Sequence, residues 1–516
     1  MKRILPLLLL CITSTLFAQQ PSEALRLSWT QSYGSARQQA IGGAMTSLGG
    51  DVSATFVNPA GLAFYRTGEF AGTPLYRLTK NKSDYFNRRE TASENNIGMG
   101  TTGFVLGGDN YSRNSKIKGS AFGIAVNGSA NFRQEVLYRG ANNQNSFSQR
   151  FIEQLGRRAD SIDAIEGFPF GASLAFRSRW IDTVGGSGGN GSFLLQSRAA
   201  ALLGAGGLLQ ENQVQYRGGI TEIALGGAVN INNKWMLGGG IGVPLLRSRR
   251  TTTFTEADAT ENTANKFDFA TLEEEVTING TGVLARLGVI YKPQEFWRLG
   301  LAFQTPTVFT IRDEATATVT ANTEGAGGIR SASSEQILGS SSPFNYGMVT
   351  PYRVSGSISY VIREIQDVTR QRGFITADVE YVNYKAASFF ADSEDETTND
   401  DLEDFFNGLN ADIDRAYKGA FNFRLGGELK FTKWMVRLGG AYFGNPFKNL
   451  QGEKGDRLNL TGGLGYRHKG QFIDLSYVHS MSNEVQLPYR LAAGSPTANV
   501  RGRVGTVLLT YGVKLY

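Results

Sequence analysis

The sequence predicts an all-β fold, a transmembrane antiparallel β-barrel of about fourteen strands, with a margin of roughly two. Three observations lead there. Apolar and polar residues alternate with period two from about residue 66 onward, glycine and aromatic residues are in excess, and short turns alternate with long polar connections. Glycine supplies 64 of the 516 residues, about 12% against an average usage of roughly 7%. Aromatic residues make up 11% of the chain, mostly 32 Phe and 20 Tyr, although only 41% of residues are hydrophobic. A barrel strand needs lipid-compatible side chains at alternate positions only, so ordinary hydrophobicity and abundant aromatics coexist in it.

The same composition excludes other classes. A disordered chain lacks aromatics, and a collagen places glycine at every third position. A helical membrane protein needs several apolar runs of about 20 residues, whereas only the extreme N-terminus offers a candidate. The net charge of +6 is spread along the chain without a Lys/Arg block, which argues for neither nucleic acid nor an anionic membrane surface.

Residues 1–18 read as a signal peptide. Met1-Lys2-Arg3 is basic, Ile4 to Leu10 is apolar and continues through Cys11 and Ile12, and Ala18 precedes polar Gln19-Gln20. An anchoring helix is disfavoured because the apolar run is shorter than a bilayer span. A lipoprotein signal at Cys11 is disfavoured by the bulky Leu10 before it. Cys11 is the only cysteine, so the processed chain has none, and losing Lys2 and Arg3 leaves a charge of +4. An exported chain without disulfides draws its stability elsewhere; a closed hydrogen-bonded barrel supplies it.

Residues 66–516 carry the strands. Trp297, Leu299, Leu301 and Phe303 alternate with Arg298, Gly300, Ala302 and Gln304. Phe421, Phe423, Leu425 and Leu429 alternate with Asn422, Arg424, Glu428 and Lys430. In the last segment the apolar parity is Val507, Leu509, Tyr511, Val513 and Leu515, which leaves the final Tyr516 on the other face. Single alternating strands fit a soluble sandwich equally well. The signal peptide, the strand number and the loop asymmetry decide for a barrel.

Short connections recur as Asn230–Lys234, Tyr291–Glu295 and Lys430–Lys433, followed by Trp235, Phe296-Trp297 and Trp434. Aromatics at strand starts fit a girdle at a membrane interface, with ordinary hairpin packing as the alternative. Long connections are expected at 248–272, 306–350, 386–418 and 481–500, all polar. Short turns at one end and long loops at the other match the periplasmic and extracellular ends of such barrels. Helical spacing of Phe151, Ile152, Leu155, Ile162 and Ile165, and of Leu402, Phe405, Phe406 and Leu409, predicts helix in two loops.

Residues 19–65 do not alternate. They are small and Gly/Ala-rich, too irregular for a lipid-facing strand, and compact enough to pack inside a barrel. Asn58-Pro59 is a turn signal, because Asn bonds its local backbone and Pro fixes the next dihedral. Here Tyr33-Gly34-Ser35-Ala36-Arg37, Gly42-Gly43-Ala44, Gly50-Asp51 and above all Asn58-Pro59-Ala60-Gly61-Leu62 follow the signal peptide. In this the chain resembles the FadL/TodX-type outer-membrane transporters of hydrophobic compounds, in the form seen in Bacteroidetes. The resemblance is specific over roughly residues 25–75 and architectural beyond them. It implies that residues 19–65 are a hatch in a fourteen-stranded barrel, with Asn58, Pro59, Ala60 and Gly61 as the hatch motif. It also implies passive diffusion of long-chain fatty acids or aromatic hydrocarbons, from an apolar groove among the loops to a pocket near the hatch and out through a kink in the wall.

No ligand residues carry over from the resemblance. Phe151 with Ile152, and Phe405 with Phe406, are the candidate loop contacts read from the residues themselves. No charge constellation marks a headgroup site. Enzymatic chemistry is not expected: His468 and His479 are the only histidines and assemble neither a metal cluster nor a Ser-His-Asp arrangement. Gly238-Gly239-Gly240-Ile241-Gly242 lacks the Lys-Ser/Thr of a phosphate loop. Gly185 to Asn190 is a loop tip, and the acidic run Ser393 to Asp404 lacks the spacing of a calcium loop. The expected partners are a hydrophobic small molecule and outer-membrane lipid, with no cofactor, no metal and no nucleic acid, and the barrel is expected to be a monomer in the bacterial outer membrane. The alternative function is a barrel of the same fold serving as scaffold or shuttle in protein secretion. An open porin is disfavoured by the plug, and a TonB-dependent receptor by its need for about 22 strands.

Overall fold

A computed structural model describes residues 21–29, 33–110, 112, 114–156, 158–159, 165–184, 193–204, 207–260, 262–339, 342–363, 371–392, 396–448 and 454–515. The expected signal peptide, the tip Gly185 to Asn190, Ile162, the start of the acidic run and Tyr516 lie outside the described residues.

The chain closes into a 14-strand antiparallel barrel. The strands are β1 (Gly68–Gly72 and Pro74–Tyr85), β2 (Arg88–Met99 and Thr102–Asp109), β3 (Ile117–Asn131 and Gln134–Asn142), β4 (Leu208–Ile231) and β5 (Trp235–Asp258). They continue as β6 (Phe269–Tyr291), β7 (Trp297–Gln304 and Val308–Asn322), β8 (Ser342–Val349 and Arg353–Arg363) and β9 (Gln371–Asn383 and Ser388–Ala391). The last five are β10 (Gly419–Lys430), β11 (Trp434–Phe443), β12 (Arg457–His468), β13 (Gln471–Gln486) and β14 (Ala498–Leu515). Each strand pairs with its sequence neighbour. β14 returns to β1, with Gly68 opposite Leu515 and Leu75 opposite Leu508, so the sheet has no free edge there.

The expected parity holds strand by strand. Trp297, Leu299, Leu301 and Phe303 face outward, as do Phe421, Phe423, Leu425 and Leu429, and on β14 Val507, Leu509, Tyr511 and Leu515. Their polar alternates, such as Asn422, Glu428, Thr506 and Thr510, are buried inside. No helix among the described residues is long and apolar enough to cross a membrane. At the short-turn end, Trp235 stacks on Tyr291 at 4.2 Å, Trp434 lies 4.9 Å from Tyr466, and Trp297 lies 5.0 Å from Tyr360. These outward pairs on adjacent strands have the placement of an interfacial girdle. Turn chemistry follows the strand twist: Asn232 and Asn233 both take positive φ, as Asn tolerates and a type I′ hairpin requires.

Two expectations about the loops need correction. Most of 248–272 and 306–350 is strand, because β5 and β6 run for 24 and 23 residues and β7 and β8 include Val308–Asn322 and Ser342–Val349, past the apolar belt. There β5 is polar on both faces, and β6 and β7 turn Thr, Glu and Arg outward while Leu272, Ile278, Phe309 and Ile311 are buried inside. The longest connection is instead 143–207, which carries the helix Gln149–Gln154 and a small three-stranded sheet. That helix includes Phe151 and Ile152 but stops before Leu155, short of the expected span. The second loop helix, Glu396–Ala416, includes Leu402, Phe405, Phe406 and Leu409 as expected.

Candidate functional site

The lumen is where functional side chains converge, and the N-terminal segment organises it. Its elements are the helices Pro21–Ser28, Ala36–Ala40 and Ala54–Val57 and the 3-10 helix Pro59–Phe64. Residues 33–66 are held by inward side chains from around the barrel. Thr510 Oγ1 accepts from the Ala36 amide at 2.8 Å, and Thr461 Oγ1 donates to the Ala40 carbonyl at 3.0 Å. The Asp378 carboxylate accepts from the Met45 and Thr46 amides at 3.0 Å each. Backbone groups that would otherwise be orphaned inside the barrel are thereby satisfied.

Asn58 is the hub of this packing. Its Oδ1 accepts from the Ala60 amide at 3.0 Å and caps the 3-10 helix, while its Nδ2 donates to the Thr46 carbonyl at 2.6 Å. The same Nδ2 lies 3.4 Å from the carbonyls of Val289 and Leu301, on β6 and β7. Pro59 occupies the first helical position, where its missing N–H costs nothing. Ala60 is fully buried, and Gly61 packs where a Cβ would fall 2.7 Å from the Leu48 carbonyl oxygen.

This close approach accounts for part of the glycine excess. Inward glycines of the wall meet the backbone of the N-terminal segment directly: Gly238 against Pro59 and Ala60, Gly300 against Thr46, Gly426 and Gly439 against Ile41. At Gly463 a Cβ would lie 2.7 Å from Ala40 Cβ. A ring of positions around the barrel has no room for a side chain.

Charged groups inside the wall are paired. Arg437, wholly buried, donates to Glu428 at 2.6 Å and to Asp474 at 2.6 Å, and Arg37 of the N-terminal segment approaches Glu428 at 3.5 Å. Arg286 pairs with Glu222, and Arg424 with Glu380 at 2.8 Å. Buried ions of this kind persist only when matched. In the sequence they show only as scattered charged residues, with partners 64 positions apart in the Glu222–Arg286 case and farther still for Arg37 and Glu428.

Above this floor lies a cavity of about 1150 Å³. Its walls mix aromatic residues, among them Phe132, Tyr216, Phe309 and Phe443, with cations including Arg26, Arg77, Arg250 and Arg457. Cations outnumber carboxylates roughly two to one among the described lining residues. The lumen thus assembles the charge constellation that the sequence did not reveal. The helix Pro21–Ser28 crosses the upper cavity, and Glu23 on it pairs with Arg26 at 2.6 Å and Arg250 at 3.2 Å. Arg353 donates to the Ser28 carbonyl at 2.6 Å, where the helix dipole favours a cation. Trp29 lies under the Arg457 guanidinium, 3.4 Å from ring centre to Cζ. In the roof, burial lowers the proton affinity of Arg150 and the nearby Glu274 carboxylate opposes the shift.

Phe151, Ile152, Phe405 and Phe406 are not among the cavity-lining residues. Phe151 stacks edge-on to Phe147 and Trp180, and Phe406 packs with Phe344, Tyr346 and Phe389 in the apolar core of the loops. That core is stitched to the wall by Glu256, which accepts from Ser146 at 2.6 Å and from the Phe147 amide at 2.9 Å.

The cavity reaches a break in the wall. β3 is laddered to β2 from Asp109 up to Thr102, and its distal half is laddered to β4, but no ladder joins Arg88–Met99 to Gln134–Asn142 among the described residues. The break has local causes. Gly100 to Thr102 lie opposite only Gly72 and Thr73 of β1, and a bulge at Ser129 precedes Phe132 and Arg133, where the β3 strand is interrupted although the Phe132 amide still donates to the Gly218 carbonyl at 3.0 Å. Side chains and the N-terminal segment close the seam instead. The Tyr33 amide donates to Gly128 at 3.0 Å, and the Thr101 amide to Gly34 at 2.8 Å. From β1, Arg77 reaches the Asn131 and Arg133 carbonyls at 3.3 Å, and Asn81 donates to the Glu135 carbonyl at 2.7 Å.

No protein-family model matches the chain, and no curated protein sequence does. Solved structures do. The toluene transporter TodX of Pseudomonas putida aligns with a TM-score of 0.52 and 13% identity over 95% of this chain and 99% of its own. A FadL homologue of Pseudomonas aeruginosa aligns with a TM-score of 0.51 and 14% identity over 93% of this chain and 98% of its own. The chain shares the barrel fold of the FadL- and TodX-type transporters.

Proposed function

We propose that the chain is a passive outer-membrane channel for hydrophobic molecules, with residues 19–65 as its hatch and the long loops outside the cell. The observation that carries this reading is the continuity of one cavity, floored by the N-terminal segment, with a wall seam closed by side chains where a backbone ladder is missing. An apolar molecule gains by leaving water for an aromatic-lined cavity and then lipid, and needs no other energy source. Among the two substrate classes, the cationic lining favours a long-chain fatty acid over a neutral hydrocarbon, because a carboxylate finds guanidinium donors there. A secretion scaffold of the same fold would have no use for a cavity that meets the wall seam.

Uptake into liposomes tests the reading. Purified barrel should accelerate entry of a long-chain fatty acid, and should favour it about tenfold over the alcohol of equal length, the value of one charge-assisted hydrogen bond. Equal rates with and without the protein would sink the transport reading. Equal rates for acid and alcohol would sink only the substrate assignment.

A further inference from the structure

Four outward-facing cations lie above the apolar belt at the β14–β1 closure. On β1, Tyr76 and Leu78 face outward and the next outward residues are Lys80 and Lys82; on β14, Val507 and Leu509 belong to the belt, and Arg503 and Arg501 lie beyond it. In the ladder Lys80 stands opposite Arg503, and Lys82 opposite Arg501. Adjacent strands are about 5 Å apart and successive outward residues about 7 Å. Four cations therefore frame a patch the size of a phosphate group, with aliphatic stems able to lean over the belt.

Like charges directly opposite each other destabilise a sheet, so this arrangement needs a counter-charge. The protein supplies little. Asp84, one row further out, pairs with Arg501 at 2.8 Å but is shared with Arg89 at 2.8 Å. Lys80, Lys82 and Arg503 have no ion pair or side-chain hydrogen bond among the described residues, and all three are exposed. On β2 the outward neighbours of the lysines are Ser93 and Thr91, which donate and accept but carry no charge. A second arginine pair at this level, Arg217 opposite Arg249, is partly neutralised by Glu275 at 2.6 Å from Arg249.

We propose that Lys80, Lys82, Arg501 and Arg503 bind the phosphate headgroup of a lipid in the loop-side leaflet, docked on the outer wall at the barrel closure. Charge complementarity and continuity with the lipid-facing belt select a lipid: only a ligand with acyl chains places its phosphate at this height and its tails against Tyr76, Leu78 and Val507. The site stands one strand from the β2–β3 seam, so the bound lipid borders the place where the wall is not laddered. No block of basic residues in the sequence signals it, because closing the barrel brings the two ends of the chain together. The inference rests on the barrel being embedded in a bilayer, as the proposed function also requires.

Proximity labelling in vesicles tests it. A donor dye is attached at Ser93→Cys in the chain lacking Cys11, and the protein is inserted into phosphatidylcholine vesicles holding a small fraction of acceptor-labelled phosphatidic acid. Each interfacial cation is worth roughly fivefold in local lipid enrichment. The wild-type background should show severalfold more energy transfer to phosphatidic acid than to labelled phosphatidylcholine, and the quadruple variant K80Q/K82Q/R501Q/R503Q should lose that excess. K80R/K82R/R501K/R503K should keep it, and free inorganic phosphate should not compete it away. Heat-modifiable gel migration reports insertion independently, so failure to enter the bilayer is separated from failure to bind. An inserted barrel with no preference for phosphatidic acid, or a preference that survives in the glutamine variant, overturns the proposal.

Discussion

Replacing Arg437 by Met should destabilise the barrel by about 3–5 kcal/mol, the usual result of removing one partner from a buried ion cluster. Glu428 and Asp474 each lie 2.6 Å from the guanidinium and are themselves buried, so the substitution takes away the cation they share. Arg37 and Lys430, 3.5 Å and 3.7 Å from Glu428, offer only partial compensation. Urea unfolding of the barrel in detergent reads the effect. The double variant R437M/D474N removes one charge of each sign and leaves Glu428 with Arg37 and Lys430, and it should recover to within roughly 1 kcal/mol of wild type, since it is the unmatched charge that costs. A double variant as unstable as R437M would mean that packing volume, and not charge, is what Arg437 supplies.

Gly238→Leu should convert a closed lumen into a leaking one. A Cβ at this inward position collides with the backbone of Pro59 and Ala60, which cannot swing aside as a flexible side chain would. The wall is fixed by ladders to β4 and β6, so the N-terminal segment must give way, and with it the Asn58 contacts to Val289 and Leu301. In planar bilayers the variant should conduct ions on the order of tenfold more than wild type, approaching the behaviour of an unplugged barrel. Gly239→Leu is the control. Its Cβ points outward, 3.5 Å from Leu287, and should leave conductance unchanged. Silent bilayers with both variants would show that the segment does not seal the lumen.

What was legible in the sequence follows from what is local. The outward parity of Trp297 to Phe303 and of Val507 to Leu515 is a period-two signal that one strand carries by itself, and the structure keeps it. The turn at Asn58-Pro59 was legible for the same reason. The parts of β5 to β8 that fall within 248–272 and 306–350 read as loops because, beyond the belt, β5 is polar on both faces while β6 and β7 turn Thr, Glu and Arg outward and bury Leu272, Ile278, Phe309 and Ile311 inside, the reverse of the belt. The run Gly238 to Gly242 lies in β5, but the purpose of Gly238 depends on Ala60, far away in sequence and adjacent only in the lumen. The cation-rich cavity and the Arg437 cluster are likewise products of closure. Phe151 and Phe406 attracted attention as apolar residues in polar loops, and the structure buries them in the loop core, away from the cavity lining. The wall break was beyond reach of the sequence, since it lies in a ladder that fails to form above Thr102 and not in any residue type.

Pinning the seam tests the central claim most directly. Glu90 on β2 and Arg139 on β3 face each other across it, with Nε and Oε1 2.9 Å apart. In a chain lacking Cys11, Glu90→Cys and Arg139→Cys can be bridged by a short bis-methanethiosulfonate, which forms a disulfide with each thiol and releases methanesulfinate, and fatty-acid uptake into liposomes measured before bridging, after it, and after reduction. If cargo leaves the cavity between β2 and β3, bridging should cut uptake about tenfold or more, an effect as large as the loss of a gating motion. Binding to the cavity should persist, and reduction should restore the flux. Uptake that continues unchanged through a bridged seam would contradict the account.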